Sequence, residues 1–297
     1  MNAPHVRRLL VAKGLRAFGD GYVSLLLPVY LLDLGFSALQ VGIIATATLV
    51  GSGLLTLAVG LHAYRFHYRT LLLAATALMA MTGIGFAAVT DFWPLALIAF
   101  VGTLNPSSGD VSVFLPLEHA ALSRLVEDRD RTKTFARYSL VGSLVAATGS
   151  LAAGIPSLAA AEFGVSSRSV IQSMFVLYAA CAVVTAFVYR GLPASLGNSA
   201  RKPPAPLTSS RGRVYTLAAL FSLDAFGGGF VVQSMVALWF YQRHGVTPAQ
   251  AGTIFFWTGL LTAASYLVAV QIADRIGLVN TMVFTHLPSS ACLILMP

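Results

Sequence analysis

Two stretches of this chain, Gly35-Phe36-Ser37-Ala38-Leu39-Gln40-Val41-Gly42 and Gly245-Val246-Thr247-Pro248-Ala249-Gln250-Ala251-Gly252, are copies of one pattern at an offset of 210. A second pair precedes them in the same order. Ala17-Phe18-Gly19-Asp20-Gly21-Tyr22 matches Ala225-Phe226-Gly227-Gly228-Gly229-Phe230 at an offset of 208. Two matches at nearly one offset describe an internal repeat, in which each copy is one structural unit.

What repeats is a set of apolar runs. Of the 297 residues, 57% are hydrophobic and only 10% charged, with a mean hydropathy of +0.77, a balance that no water-exposed surface accommodates. Crossing hydrocarbon as a helix takes about 20 apolar residues. Such runs fall at 14–34, 39–61, 71–89, 92–117, 135–155 and 170–189, and again at 215–241, 249–272 and 279–297. The repeat pairs the first run with the seventh and the second with the eighth, so the copies are parallel, related by an axis along the membrane normal.

Between the sixth and seventh runs lies the one long polar interruption, RGLPASLGNSARKPPAPLTSSRGR at 190–213. Its Pro, Gly, Ser and Ala content offers no helical face, and its basic residues come without an acid, so it reads as a solvated linker. The formal net charge of +8 is explained by location. With the N-terminus in the cytoplasm, all 19 Lys and Arg residues except Arg168 and Arg243 fall inside, which orients the chain and makes the linker cytoplasmic. The basic N-terminal flank precedes a run too long for a signal peptide, and a retained first span is expected. Phe92 and Trp93, and Trp239, Phe240 and Tyr241, are expected at the outer interface.

Carboxylates inside spans are informative, because each costs about 2.5–3.5 kcal/mol to insert and faces protein or water. Asp20, Asp110 and Asp224 stand in the first, fourth and seventh runs, so every third helix is polar-lined. The fourth run groups Asn105, Ser107, Ser108 and Asp110 around Pro106 and reads as a kinked interior helix. Asp110 is the candidate for proton exchange, the competing reading being a fixed partner for Arg137. Arg16 and Asp20, four apart, are expected to pair along one helix face, the alternative being a pair between Arg16 and Asp224 across the repeat. Glu118 reads as snorkelled or paired near the end of its span. Gln233 and Trp257 are further cavity candidates, though a mid-span Trp more often packs between helices.

Other features read blandly. Gly142, Gly149 and Gly154 indicate close helix packing. The run Glu127 to Lys133 reads as a solvated loop. Cys181 and Cys292 lie in apolar runs and behave as small hydrophobes. His62 and His67 lack companions for a metal site, and no metal ligand set, cofactor motif or hydrolase signature is present.

The connector between the eighth and ninth runs, Val270-Gln271-Ile272-Ala273-Asp274-Arg275-Ile276-Gly277, resembles the G-x-L-A-D-R-x-G signature of major facilitator superfamily transporters. Its counterpart between the second and third runs, Gly60-Leu61-His62-Ala63-Tyr64-Arg65-Phe66-His67, keeps Gly60 and Arg65 in register. The resemblance covers essentially the whole chain and implies an all-α polytopic membrane protein: a six-helix N-terminal bundle (1–190), a cytoplasmic basic linker (191–213) and about three helices of a second bundle (214–297). It implies a cavity lined by the first, fourth, seventh and tenth helices, and bundles that rock to alternate access. It also implies a latch made by Gly60, Arg65, Asp274, Arg275 and Gly277, although Tyr64 replaces the acid and His67 the glycine in the first copy. The R-x-x-x-G pattern of drug/proton antiporters would put its arginine at Asn105, and their glycine-proline pattern in the fifth helix is not reproduced.

The expected function is secondary active transport of a small solute, proton or ion coupled, with Asp20, Asn105, Asp110, Asp224 and Gln233 as cavity or coupling residues. The expected setting is a plasma (inner) membrane, with the lipid bilayer, the solute and protons as partners and neither a cofactor nor nucleic acid. Three helices fewer in the second repeat suggest a C-terminally truncated transporter, and a transporter-like receptor, scaffold or inactive fragment is the alternative. An intramembrane aspartyl protease is a poor fit: Ser107 fills the first glycine of the GxGD that such enzymes need, and Gly19 stands where a Tyr is required.

Overall fold

A computed structural model describes residues 3–107, 111–194, 196, 210–229 and 231–295, so Asp110 and most of the linker lie outside the described residues. The described chain is helical: α1 (Ala3–Asp33), α2 (Ala38–His62), α3 (Tyr68–Ala88), α4 (Phe92–Val101), α5 (Phe114–Leu125), α6 (Asp128–Ala152) and α7 (Ile155–Phe163). There follow α8 (Ser167–Arg190), α9 (Arg211–Gly228), α10 (Gln233–His244), α11 (Pro248–Ile276) and α12 (Leu278–Ile294). Among the described residues, seven segments, Ala3–Asp33, Ala38–Arg65, Tyr68–Ala88, Asp128–Phe163, Ser167–Arg190, Arg211–His244 and Pro248–Ile276, are long and apolar enough to cross a membrane. The expected fourth span is divided between α4 and α5, and the ninth is the 17-residue α12.

The repeated stretch at 35–42 and 245–252 is a helix stop followed by a helix start. Gly35 and Gly245 both adopt positive φ, +89° and +61°, where a side chain would be strained. Two residues on, Ser37 and Thr247 cap the next helix. The Ser37 hydroxyl accepts from the Gln40 N–H at 3.3 Å while Gln40 Oε1 accepts from the Ser37 N–H at 2.8 Å. Thr247 and Gln250 repeat the arrangement at 3.3 and 2.8 Å. Each box satisfies two backbone donors that the helix start leaves open, an arrangement typically contributing about 1 kcal/mol.

Helix α1 is the central element, packed against α6, α8 and α10, with 72% of its most apolar window buried against 33–39% for Ala38–Arg65, Tyr68–Ala88, Asp128–Phe163 and Ser167–Arg190. Glycines set the closest approaches. Gly21 of α1 lies on the Ala146 carbonyl of α6, and Gly149 of α6 lies on the Phe18 carbonyl of α1, so neither site has room for a side chain. The other flank of α6 takes α11 in the same way, Gly252 against the Ser150 carbonyl and Gly259 against Ala147. The small residues of α6 are thus packing residues, as their composition implied, and they hold α6 between α1 and α11.

Two readings of polar stretches change. Asp128 to Lys133 form the opening turns of α6 rather than a loop, where Asp128 and Asp130 favour the positive end of the helix dipole. The start of the linker docks instead of floating: Leu192 and Leu196 are buried, the Leu196 carbonyl accepts from the Tyr68 N–H at 3.1 Å, and Arg8 donates to the Gly191 carbonyl.

Candidate functional site

The site forms where two spans lose their helical geometry. Helix α4 stops at Gly102, and Thr103 to Pro106 run without helical hydrogen bonds because Pro106 has no N–H and Asn105 turns its amide oxygen back to the Ser107 N–H at 3.1 Å. The span between α9 and α10 breaks at Gly229, after the run Gly227-Gly228-Gly229. The breaks meet: the Ser234 N–H at the start of α10 donates to the Pro106 carbonyl at 3.0 Å. Gln233 beside it donates through Nε2 to the Ser24 hydroxyl of α1 at 3.0 Å, and the Tyr241 hydroxyl, two turns on, donates to the Leu25 carbonyl at 3.0 Å. Backbone groups freed by each break therefore find partners across the interface, which is what irregular chain at membrane depth requires.

Beside this junction lies a cavity of about 530 Å³. Lys13, Asp20 and Ser24 of α1 line it with Asn105 and Ser107 of the first break, Gln233 of the second, Tyr138, Ser139, Ser143 and Ser150 of α6, and Thr258, Thr262 and Tyr266 of α11. Asp20 is held from behind by the Tyr178 hydroxyl of α8, 3.5 Å from its Oδ1 and 3.3 Å from the Thr103 carbonyl, so one phenol bridges the carboxylate and the first break. The Lys13 ammonium lies 5.3 Å from the Tyr138 ring centre, and its stem occupies the space that a side chain at position 142 would fill.

Below the cavity floor is a buried polar cluster. Arg16 of α1 forms a salt bridge with Glu118 of α5, and both side chains are essentially inaccessible. Tyr138 and Tyr189 donate their hydroxyls to the two oxygens of Glu118, the second at 2.6 Å, and the Phe114 ring stacks 4.1 Å from the guanidinium carbon. Burial of an ion pair is tolerable only with such satisfaction of the remaining lone pairs. The expected intrahelical pair therefore gives way: Arg16 reaches across to Glu118, while Asp20, one turn on, is met by Tyr178. Of the two readings of Glu118, the paired one holds: α5 points it inward onto Arg16.

Of the residues singled out in the sequence, Asp20, Asn105 and Gln233 come together on the cavity wall. Asp224 does not join them. Every residue of α9 is exposed, and Asp224 Oδ1 lies 3.9 Å from His286 Nε2 of α12, so the pairing of Arg16 with Asp224 is also absent. Trp257 is exposed and faces away from the cavity, and Arg137 is exposed on α6. Gly60 and Arg65 are exposed at the end of α2 and in the turn after it, where Arg65 Nε donates to its neighbour, the Tyr64 hydroxyl, at 3.0 Å. Asp274 and Arg275 are exposed at the end of α11, and Gly277 stops that helix at φ +83° with its N–H on the Ala273 carbonyl. Among the described residues no group of His, Cys, Asp and Glu is arranged to hold a metal ion.

No motif in the sequence marks Lys13 or the α6 hydroxyls as site residues. Lys13 counts among the basic residues that mark the cytoplasmic side, yet it shares one face of α1 with Ala17, Asp20 and Ser24. That spacing, and the recurrence of Ser139, Ser143 and Ser150 on α6, are the signals that point to the cavity.

Taken together, a polytopic helical protein with broken spans meeting at a polar central cavity is the architecture of a membrane transporter. The match to the Major Facilitator Superfamily extends over residues 9–297, and the chain belongs to that family, a family of transporters rather than enzymes. An uncharacterized membrane protein of Saccharomyces cerevisiae is 23% identical, the alignment covering 98% of this chain and 73% of the yeast protein. Among solved structures, a bacterial homologue of the human drug peptide transporters PepT1 and PepT2 superposes with a TM-score of 0.54 at 13% identity, covering 92% of this chain and 57% of that one. Tetrameric PepTSo2 gives 0.52 at 13% identity, covering 96% and 58%. The chain thus spans less than two thirds of the length of these structural neighbours, and at such identities the likeness is one of fold.

Proposed function

We propose that this chain forms the solute pathway of a secondary active transporter, which moves a small solute by alternating access and is driven by a proton or ion gradient. The observation that carries the proposal is the polar cavity at the junction of the two broken spans, lined by the Asp20 carboxylate, a charge that membrane burial would otherwise penalise. The breaks supply the mechanics. Helix α10 is fastened to α1 and to Pro106, whereas α9, on the other side of the break, is exposed throughout, so α9 can move without unmaking those bonds.

In this reading the N-terminus and linker are cytoplasmic, the linker joins the units 1–190 and 214–297, and Asp110 carries the coupling proton, with Asp20 on the solute side. Asp224 has no part in the cavity. The Gly60, Arg65, Asp274, Arg275 and Gly277 set would latch the cytoplasmic ends in another state of the cycle. The test is flux in proteoliposomes. Asp110→Asn is expected to abolish uptake or efflux driven by a pH gradient while leaving solute exchange and folding intact; unchanged dependence on the gradient removes Asp110 from that role.

A further inference from the structure

Helices α9 and α12 are apolar, and each carries one residue whose charge is out of keeping with the rest of its length. Asp224 is the sole acid of α9, whose other charged residues, Arg211 and Arg213, stand in its first turn with Tyr215 close behind. His286 is the sole residue of α12 able to carry a positive charge, and Cys292 is that helix's other titratable group. The fold brings the two together, with Asp224 Oδ1 3.9 Å from His286 Nε2. Helix α11, which packs on α12, carries no charge from Pro248 to Gln271. Its Tyr266 lines the cavity, and its Asp274 and Arg275 stand at the turn into α12.

The state of the imidazole follows from its second nitrogen. His286 Nδ1 lies 2.8 Å from the Met282 carbonyl, one turn back on α12. A carbonyl only accepts, so Nδ1 carries a proton and Nε2 is the nitrogen turned towards Asp224. A neutral ring would present its Nε2 lone pair to a carboxylate, and two acceptors repel. With a proton on Nε2 as well, the contact becomes an attraction between imidazolium and carboxylate, and the pair carries no net charge. Asp224 stands inside Arg211–His244, a segment long and apolar enough to cross a membrane, where neutrality is favoured.

We propose that Asp224 and His286 form a proton-binding pair that ties α9 to α12: a proton taken up at His286 Nε2 closes the tie, and its loss frees α9. The inference rests on the proposed reading in which α9 moves on its side of the break. It adds to that reading a protonation site outside the cavity, separate from the coupling carboxylate Asp110, which sets when α9 is held.

The test is a distance and needs no known solute. In a Cys181→Ala, Cys292→Ala background, Ser222→Cys and Phe284→Cys, each exposed and two residues from the pair, so on the opposite side of its helix, carry nitroxide labels. Their separation is measured by pulsed dipolar electron paramagnetic resonance in proteoliposomes at about pH 5 and about pH 9, which bracket the range over which a histidine changes charge. A narrow distribution at the lower pH is expected to lengthen and broaden at the higher. Asp224→Asn and His286→Gln should each hold the high-pH distribution at both values. A separation that does not change with pH in the labelled background overturns the assignment, as does a pH dependence that survives both substitutions. Circular dichroism and gel filtration identify a misfolded variant, in which case the other variant decides. Flux is scored separately, so a fixed separation sinks this assignment and leaves the transporter reading standing, whereas a titrating separation in a protein without flux does the reverse.

Discussion

Arg16 and Glu118, on helices α1 and α5, form a buried ion pair whose carboxylate also accepts from Tyr138 and Tyr189. Four helices, α1, α5, α6 and α8, are joined at this one carboxylate. Removing one partner strands the other charge, so Glu118→Gln and Arg16→Met should each destabilise the protein by about 3–5 kcal/mol. The double variant Arg16→Met, Glu118→Leu should recover much of that loss. Thermal unfolding in detergent decides this, and additive losses would show that the pair does not act as a unit.

The repeat makes a second prediction because its two copies are used differently. Gly42 and Gly252 occupy the same position of the pattern, yet a Cβ at 42 would meet nothing within 4 Å, whereas one at 252 would run into the Ser150 carbonyl. Gly252→Ala should cost roughly 1–3 kcal/mol through forced separation of α6 and α11. Gly42→Ala should be neutral or slightly stabilising. Melting temperatures of the two variants side by side provide the comparison.

Much of the fold is legible in the sequence for a physical reason. Membrane spans need long apolar runs, and the repeat betrays its own boundaries at Gly35 and Gly245, where the backbone needs positive φ. The cavity is only half legible. Asp20, Asn105 and Gln233 declare themselves because polar groups are rare at that depth, but Lys13 is masked by a rule about charge distribution that explains it equally well. Glu118 is masked by its place near a span end, since its depth follows from how α5 resumes after the break. Asp224 misleads in the opposite way: its counterpart in the repeat lies beside Arg16, but α9 stands away from α1. Repeat symmetry fixes where a residue lies along a helix, and only packing decides whether it faces the cavity.

Tyr178 supplies a third prediction. Its one hydroxyl proton is shared between Asp20 and the Thr103 carbonyl, so Tyr178→Phe removes that shared donor while keeping the ring in its pocket. The variant should lose about 1 kcal/mol of stability, and solute flux should fall several-fold as Asp20 loses its orientation. Flux at constant protein level tests this, and wild-type flux would show that Asp20 needs no such support.

The most direct test of the central claim, that solute passes through the cavity between the broken spans, is flux after plugging it. With Cys181 and Cys292 replaced by alanine, Ser143→Cys proteoliposomes are treated with a bulky maleimide, and saturable uptake from a solute screen is measured before and after. Blockage of at least about tenfold is expected at this cavity position, with no effect at Thr253→Cys on the exposed face of α11. Complete modification of Ser143→Cys with undiminished flux would contradict the claim.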